Sequence, residues 1–281
     1  MIIEIAEDAG FCYGVQRALN MINKAIERGE EFDTLGPIIH NPIVVRELEE
    51  KGIKAVNSLE ESSKKAIFIR THGVPPKVIE EAKNKGFKVI DATCPIVYNA
   101  QLSARRLYEE GYLVVIVGKK DHPEVKGILG HVEDNAVVID NPEDVKNYNF
   151  EGKKVGVVVQ TTSRFDVFGD TVREILKTAK EVRAINTRCY VTERRQEITA
   201  DLAKRSDVMI IVGGKNSSNT KRLYEVSRMQ GTVSYHIESP DELKKEWFEG
   251  VERVGITAGA STPPWIVQQV AEKIKSFTKE V

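Results

Sequence analysis

Short runs of β-branched and aliphatic residues recur along the whole chain, separated by longer stretches of mixed polarity. A short apolar run bounded by polar or turn-forming residues is typical of a buried strand. The strands predicted in this way are Ile2–Ile5, Phe32–Leu35, Ala66–Arg70, Phe87–Asp91, Tyr112–Val117, Ala136–Asp140, Lys154–Val159, Val182–Ile185, Asp207–Val212, Thr232–Ile237 and Val254–Thr257.

In the stretches between these runs, apolar residues recur at three- and four-residue intervals, and several stretches begin with Pro or Asn, which indicates amphipathic helices. The main helix candidates are Gly14–Arg28, Pro42–Lys51, Pro76–Lys85, Val97–Glu110, Arg164–Lys180, Glu193–Lys204, Asn219–Met229 and Pro264–Ser276. Strands that alternate with helices predict βαβ units, and hence an α/β fold with parallel sheets.

The three cysteines reveal a repeat. Each follows a predicted strand and precedes a predicted helix, and a polar residue follows the next predicted strand at the same distance. An interval of 28 residues separates the two members of each pair, which are Cys12 and His40, Cys94 and His122, and Cys189 and Ser217.

A second polar residue follows a further predicted strand in each copy of the repeat. These residues are His72, Thr161 and Ser261. We therefore expect three similar small α/β units, over residues 1–83, 84–178 and 179–281. Because ligands bind beyond the carboxyl ends of open parallel sheets, the cysteines and polar residues converge if the three units face a common axis.

The charge balance excludes some classes of function. The chain has 281 residues, with 41 Lys and Arg against 42 Asp and Glu, a formal net charge of −1. This argues against a nucleic-acid binder with one large basic face. The acidic first residues do not resemble a signal peptide, and no apolar run approaches the ~20 residues of a membrane span. We expect a cytoplasmic protein with no membrane or nucleic-acid partner.

Three widely spaced cysteines without a C-x-x-C pair fit neither a disulfide framework nor a zinc ribbon nor a thioredoxin-type redox pair. They suit a soft metal centre. A cubane iron–sulfur cluster usually takes four cysteines, so three would leave one iron open to act as a Lewis acid on a substrate. The alternative is that they are ordinary buried free cysteines.

The polar residues form a set of imidazole, hydroxyl and amide groups, and the helix start after Ser217 adds backbone N–H groups that favour an anion. A phosphate or diphosphate ligand fits this chemistry, whereas no Walker or G-x-G-x-x-G motif indicates a nucleotide. The alternative is that these are core or cap residues, which is what we expect of His131 and His236 outside the repeat. The candidate set is His40, His72, His122, Ser217, Ser218, Asn219 and Ser261.

An acidic residue lies beside this set. Glu124 comes two residues after His122, and it is a candidate proton donor that acts through Thr161. The alternative is an acid that only interacts with a helix N-terminus. Asp121 lies in the same loop, and spacing alone does not decide between the two acids.

Eight motifs in register identify a family. They are G-F-C-Y-G-V-x-R-A from Gly10, H-N-P from His40, T-H-G-V from Thr71, D-A-T-C-P from Asp91, H-P-E-V-x-G from His122, Q-T-T from Gln160, G-K-N-S-S-N-T from Gly214 and T-A-G-A-S-T-P from Thr257. In this order, over nearly the whole chain, they resemble the hydroxymethylbutenyl diphosphate reductases, the last enzymes of the methylerythritol phosphate route to isoprenoids.

The resemblance implies three α/β domains arranged as a pseudo-threefold trefoil around a central 4Fe–4S cluster. The cluster would be held by Cys12, Cys94 and Cys189, with one iron that has no cysteine ligand and binds the substrate hydroxyl. We expect a sample that loses this iron to contain the 3Fe–4S form. The implied substrate is (E)-4-hydroxy-3-methylbut-2-enyl diphosphate, which two electrons and two protons convert to isopentenyl or dimethylallyl diphosphate and water.

The resemblance also assigns roles. Residues that match Glu124 and Thr161 belong to the proton-delivery network of the family, with His122 beside them, which favours Glu124 over Asp121. The implied diphosphate site is His40, His72, His122, Ser217, Ser218, Asn219 and Ser261, and Thr161 also belongs to the substrate site.

One segment departs from the family pattern. Arg188 precedes Cys189 where the family commonly has an apolar residue, and Val191 stands where it has Ala. A charge beside a presumed ligand is expected to tune the cluster rather than to prevent ligation.

No motif indicates a bound nicotinamide or flavin, so the resemblance implies a ferredoxin or flavodoxin as electron donor. Two other hypotheses stay open at this point. One is a Cys/His zinc hydrolase that acts on a phosphate ester, and the other is a non-catalytic iron–sulfur redox sensor. The near-zero net charge and the predicted anion site argue against the sensor.

Overall fold

A computed structural model describes residues 1–279 of the chain. Its twelve strands in this range are β1 (Ile2–Ile5), β2 (Phe32–Leu35), β3 (Ala55–Val56), β4 (Ala66–Ile69), β5 (Lys88–Asp91), β6 (Leu113–Val117), β7 (Ala136–Ile139), β8 (Lys154–Val159), β9 (Glu181–Ala184), β10 (Val208–Val212), β11 (Val233–Ile237) and β12 (Arg253–Ala258).

The described residues also form nine α-helices and a few short 3₁₀ turns. The α-helices are α1 (Tyr13–Glu27), α2 (Pro42–Glu50), α3 (Pro76–Asn84), α4 (Pro95–Glu109), α5 (Pro123–Gly130), α6 (Phe165–Leu176), α7 (Tyr190–Lys204), α8 (Ser218–Met229) and α9 (Pro264–Lys279). No helix among the described residues combines the length and the apolar character needed to cross a membrane.

The strands form three parallel four-stranded sheets, which confirms the predicted α/β class. The strand order is β1-β12-β10-β11 in sheet A, β3-β2-β4-β5 in sheet B and β7-β6-β8-β9 in sheet C. In each sheet the edge strand that precedes a cysteine (β1, β5 or β9) pairs with the strand that precedes the second polar residue (β12, β4 or β8). The repeat seen in the sequence is therefore a repeat of sheet topology.

The chain divides into two compact units. The first contains Met1–Gln16, Ile39–Gly52 and the chain from Tyr190 onward, and includes sheet A. The second contains Arg17–Ile38 and Ile53–Cys189, and includes sheets B and C.

Strand pairing crosses the boundaries expected from the sequence at residues 83 and 178. β5 lies beyond the first boundary but pairs with β4, and β9 lies beyond the second but pairs with β8. β1, at the start of segment 1–83, pairs with β12 of segment 179–281. Residues 280 and 281, at the end of that segment, lie outside the described residues. Sheets B and C therefore each extend by one strand beyond the expected boundary. The division into three domains stays a prediction.

Both faces of β10 in sheet A are buried, because helices cover the sheet on each side. Ile210 and Val212 pack with residues of α9, and the alternate residues Met209 and Ile211 pack with residues of α7 and α8. This alternation follows from the period of two in a strand.

Sheet C is covered on both faces in the same way. Val115 of β6 packs with α6, and the adjacent Val114 and Ile116 pack with α4 and α5. In sheet B, Ile67 and Ile69 of β4 pack with Ala82 of α3. Helices on both faces leave the carboxyl ends of the strands as the place where loops carry polar groups.

Some elements differ from the sequence prediction. The short strand β3 and the helix α5 were not among the predicted elements, and α7 begins at Tyr190 rather than at Glu193. α5 contains Gly127 and Gly130, whose low helix propensity hides it. The β-branched Val191 and Thr192 similarly weaken the helical pattern at the start of α7.

A glycine in β8 allows α4 to pack closely on sheet C. A Cβ atom at Gly156 would lie 2.9 Å from Cδ1 and 3.0 Å from Cβ of Leu107, which is fully buried in α4. α4 is also the helix that begins directly after Cys94. The glycine therefore sets the distance between the sheet and this helix.

We predict that Gly156→Ala lowers the free energy of unfolding by about 1–3 kcal/mol, because the added methyl group overpacks this contact. Gly169→Ala is the matched control, since a Cβ there would have no neighbour within 4 Å in α6 and is expected to stabilise the helix by up to about 1 kcal/mol. Urea unfolding followed by circular dichroism measures both. Equal midpoints for the two variants would contradict the packing argument.

Candidate functional site

The three cysteines occupy equivalent places. Each lies one residue before a helix of 15 residues, which is α1 after Cys12, α4 after Cys94 and α7 after Cys189. The backbone N–H groups and the dipole at such a helix start favour anionic groups. Three thiols at three helix starts are therefore suited to a negatively charged, sulfur-ligated centre.

Each cysteine is also fixed by the same backbone hydrogen bond. Its N–H group donates to the carbonyl oxygen of a residue two positions beyond the end of the neighbouring strand, at 2.9 Å in all three cases. The pairs are Cys12 with Ala260, Cys94 with Thr71, and Cys189 with Thr161. Each cysteine is thus attached to the loop that carries the second polar residue of its repeat.

In the first unit, the start of α8 forms one part of the candidate site. Ser217 is the N-cap of this helix, and its Oγ accepts a hydrogen bond of 3.3 Å from the N–H group of Thr220. Ser218 and Asn219 are the first two residues of the helix. These residues combine side-chain donors with the backbone N–H groups of a helix start, which is a common anion site.

Asn219 has an unsatisfied amide. Its side chain is buried with 6% exposure, and neither Oδ1 nor Nδ2 has a hydrogen-bond partner among the described residues. Leaving such a group unsatisfied costs about 1–3 kcal/mol. A buried amide of this kind at a helix start indicates a place where a polar ligand binds.

Two glycines allow the start of α8 to sit against neighbouring loops. Gly213 has a φ of +147°, and a Cβ there would lie 2.9 Å from Oγ1 of the fully buried Thr220. A Cβ at Gly259 would also overlap Thr220. Only glycine permits this approach between the loops after β10 and β12.

His40 joins the same region of the first unit. Oγ of Ser261 donates a hydrogen bond of 3.1 Å to the carbonyl oxygen of His40. A Cβ at Gly214 would lie 2.9 Å from that carbonyl oxygen. The structure therefore brings together His40, Ser261 and the loop that leads to Ser217.

The second unit contains a buried acid. The carboxylate of Glu124 is 1% exposed, and Thr161 donates to it twice, from its N–H group at 2.6 Å and from its hydroxyl at 2.7 Å. Burial raises the pKa of Glu124 from 4.5 to about 7, against the two hydrogen bonds from Thr161, which lower it. Glu124 can therefore hold or release a proton near neutral pH.

This acid is linked to a cysteine by a short path. The carbonyl oxygen of Thr161 accepts the N–H group of Cys189, while its hydroxyl binds Glu124. By contrast, the side chain of Asp121 is 98% exposed and pairs with Lys126 at 3.5 Å. Of the two acids that spacing left open, only Glu124 lies in the candidate site.

His122 is the N-cap of α5. Its Nδ1 accepts the N–H group of Glu124 at 3.2 Å, so the proton of the neutral ring is on Nε2. The ring meets that of His72 in an edge-to-face contact, with 5.4 Å between centroids. Within the second unit, the structure thus brings together His72, His122, Glu124 and Thr161.

The histidines outside the repeat bind backbone carbonyls, as expected. His131 Nδ1 lies 2.8 Å from the carbonyl oxygen of Gly127, and His236 Nε2 lies 2.8 Å from that of Gly213. Burial lowers the pKa of both rings. His236 thereby supports the loop that leads to Ser217.

Sequence reasoning missed the role of Gln160. This side chain is 2% exposed, its Oε1 accepts the N–H group of Lys119 at 3.1 Å, and its Nε2 donates to Thr162 at 3.1 Å. It connects the loops after β6 and β8, which carry His122 and Thr161. The only signal in the sequence is its place in the Q-T-T motif.

Arg188, the departure from the family pattern, lies against an aromatic ring. Its guanidinium carbon is 4.8 Å from the centroid of the exposed Phe165 ring, and its Nε donates to Asn186 at 3.3 Å. Its positive charge therefore makes a cation–π contact with this ring.

The chain matches known proteins over its whole length. A family model described as LytB protein matches residues 3–275. A protein of Geobacter sulfurreducens named 4-hydroxy-3-methylbut-2-enyl diphosphate reductase is 46% identical over 277 residues, which is 99% of this chain and 98% of the relative. A protein of the same name from Aquifex aeolicus is 46% identical over 279 residues, or 98% of this chain and 96% of the relative.

Two solved structures are also similar. One, described as (E)-4-hydroxy-3-methyl-but-2-enyl diphosphate reductase, the terminal enzyme of the non-mevalonate pathway, is 45% identical with a TM-score of 0.75, and the match covers 98% of this chain and 100% of that one. The other is the E-1-hydroxy-2-methyl-but-2-enyl-4-diphosphate reductase of Plasmodium falciparum. It is 27% identical with a TM-score of 0.90, over 96% of this chain and 87% of that one.

The raised pKa of Glu124 predicts a pH-dependent stability. Between pH 4.5 and about 7 the carboxyl is protonated in the folded chain and ionised in the unfolded chain. The folded chain therefore binds this proton more tightly than the unfolded chain, which stabilises the fold at low pH. This stabilisation is complete below pH 4.5 and is lost as the pH rises through about 7, and the free energy of unfolding falls by at most about 1.4 kcal/mol per pH unit.

Glu124→Gln has no such titration. As the pH rises over this range, the wild type should therefore steadily lose unfolding free energy relative to the variant. Urea unfolding of the metal-free chain at several pH values measures it. Glu143→Gln, at an exposed position, is the matched control. Parallel pH profiles for wild type and Glu124→Gln would contradict the assignment.

Proposed function

Because this chain belongs to the LytB family of 4-hydroxy-3-methylbut-2-enyl diphosphate reductases, we propose that it is the enzyme that reductively removes the hydroxyl group of that diphosphate. The resemblance found in the sequence is confirmed by the family model and by the full-length relatives. Two electrons and two protons convert the substrate to isopentenyl or dimethylallyl diphosphate and water.

The three cysteines fit an iron–sulfur cluster. They are three soft ligands at three equivalent helix starts, each fixed by a backbone hydrogen bond of 2.9 Å. We propose that Cys12, Cys94 and Cys189 hold a 4Fe–4S cluster. When bound, such a cluster would pass electrons from the donor to the substrate and would offer one iron without a cysteine ligand as a Lewis acid.

The polar residues of each unit, taken separately, suit a diphosphate. In the first unit, the buried amide of Asn219 lacks partners in the described chain, and Ser217 and Ser218 begin a helix whose N–H groups favour an anion. In the second unit, His122 presents Nε2–H as a donor, with His72 beside it. His40, Thr161 and Ser261 complete the proposed substrate site.

The observation that carries the proposal is the buried path from Glu124 to Cys189 through Thr161. With a pKa of about 7, Glu124 is partly protonated at neutral pH. In that form Oε2 gives its proton to Oγ1 of Thr161, and the hydroxyl passes its own proton to the substrate. Because Thr161 binds both the acid and the N–H group of Cys189, the proton donor lies close to the proposed redox centre. His122, the N-cap of α5, holds the backbone of Glu124 in place.

The electrons have to come from another protein, and we propose a ferredoxin or a flavodoxin in the cytoplasm. Neither the zinc hydrolase nor the redox sensor is favoured, because the relatives over the full chain are named as one reductase. The substrate site of hydroxyls, imidazoles and an amide also fits a small diphosphate better than a macromolecule.

We predict about four iron and four sulfide per chain in an anaerobic preparation, or about three iron where the open one has been lost, with turnover of the hydroxylated diphosphate under a chemical reductant. Cys94→Ser should lose both iron and turnover. His131→Gln, a half-buried position outside the site, is the control that should keep both. A protein that holds only zinc after anaerobic reconstitution would contradict the proposal.

A second prediction separates binding from proton transfer. Glu124→Gln should lower kcat by about 10²–10⁴ with little change in KM, because its amide has no proton to deliver. Ser217→Ala should mainly raise KM, because it removes a cap and a donor at the anion site. Both are measured with the same chemical reductant. An unchanged kcat for Glu124→Gln, beside an unchanged Glu143→Gln control, would remove Glu124 from the mechanism.

A further inference from the structure

Arg195 is the largest fully buried side chain among the described residues, with 2% exposure. It lies in α7. Arginine is seldom fully buried unless it is paired, because removing its charge from water is costly. The contacts of this guanidinium therefore identify what it stabilises.

All three guanidinium nitrogens are used within the first unit. Nε donates to Oδ2 of Asp8 at 3.2 Å, and Nη2 donates to the carbonyl oxygen of the same residue. Nη1 donates to the carbonyl oxygens of Gly10, at 2.9 Å, and of Ala258, at 3.2 Å. One side chain thus connects α7 to the loop after β1 and to the end of β12.

These contacts reach both loops that the hydrogen bond between Cys12 and Ala260 joins. Gly10 comes two residues before Cys12, and Ala258 comes two residues before Ala260, which accepts the N–H group of Cys12. Ala260 is followed by Ser261 of the proposed diphosphate site. The guanidinium and the Cys12 amide therefore hold the same two loops together.

The loop before Cys12 has a backbone conformation that favours glycine. Gly10 has a φ of +127°, which most residues avoid, and a Cβ there would lie 3.3 Å from Cγ of Pro264. Hydrogen bonds of a charged donor to buried carbonyls are stronger than neutral ones. The planar fork of arginine reaches three carbonyls and a carboxylate at once, which a lysine ammonium cannot do.

We propose that Arg195 is a positioning residue that holds the Cys12 loop in its ligating conformation before any metal binds. This inference rests on the proposed role of Cys12 as a cluster ligand. It adds that the conformation is fixed by a buried arginine that touches neither the thiol nor the substrate groups.

The test compares the reactivity of two thiols in the same metal-free, full-length chain. Iodoacetamide labelling with peptide mass spectrometry gives the rates for Cys12 and for Cys94, which lies in the second unit. In Arg195→Lys, we expect the ratio of the Cys12 rate to the Cys94 rate to rise about fivefold or more, because only the Cys12 loop opens more often. Arg222→Lys, a largely buried arginine of α8, is the control.

An unchanged ratio would overturn the proposal, and so would a parallel rise at both cysteines, which shows general loosening. If Arg195→Lys does not fold, Asp8→Ala removes one acceptor of the guanidinium and should raise the ratio about twofold. An unchanged ratio in that variant would equally overturn it. Because no metal is present in the assay, its outcome is independent of whether the cluster and the reductase activity are confirmed.

Discussion

The functional groups of this protein depend on one backbone hydrogen bond that occurs three times. Beyond the last paired residues of β4 and β5, the N–H groups of Ala92 and Cys94 still bind the carbonyl oxygens of Ile69 and Thr71, at 3.1 and 2.9 Å. These are alternate residues, as in a parallel ladder. Cys94 is therefore placed by sheet hydrogen bonding that continues past the strand, while Cys12 and Cys189 are each anchored by the same single hydrogen bond from their own N–H group.

This anchor explains why the chemistry is concentrated at strand ends. The loop that accepts the cysteine N–H group carries His72, Thr161 or Ser261, so a ligand and a polar residue are positioned together. The serine and threonine hydroxyls among these polar groups are uncharged donors, so they add no charge that would repel an anion. Glu124 is the exception, and its burial keeps it protonated over much of the range in which a carboxylate would repel that ligand.

The sequence predicted much of this fold because its signals are local. The boundaries of β1, β2 and β8 agree with the prediction to the residue, since short apolar runs define buried strands. The pairing of β1 with β12 could not be predicted, because no local pattern shows which strand lies beside another about 250 residues away.

The candidate site was predictable to a similar extent. The interval of 28 residues locates the cysteines and the polar residues at strand ends, but it does not show which side chains are buried. The choice between Glu124 and Asp121 depends on exposure, which is 1% for one residue and 98% for the side chain of the other. The role of Arg195 could not be predicted from its place in the sequence, because that role comes from three carbonyls that are distant in the chain.

The pairing of β1 with β12 also has a consequence for synthesis. Sheets B and C use strands from Phe32 to Ala184 and can form while the rest of the chain is still being made. β1 is made before the strands of sheets B and C, yet its partner strand begins at Arg253, so β1 stays unpaired until β12 has also been made. Long-range pairing of this kind is slow, and sheet A, with the loop of Cys12, is expected to be the last to fold and the most dependent on chaperones.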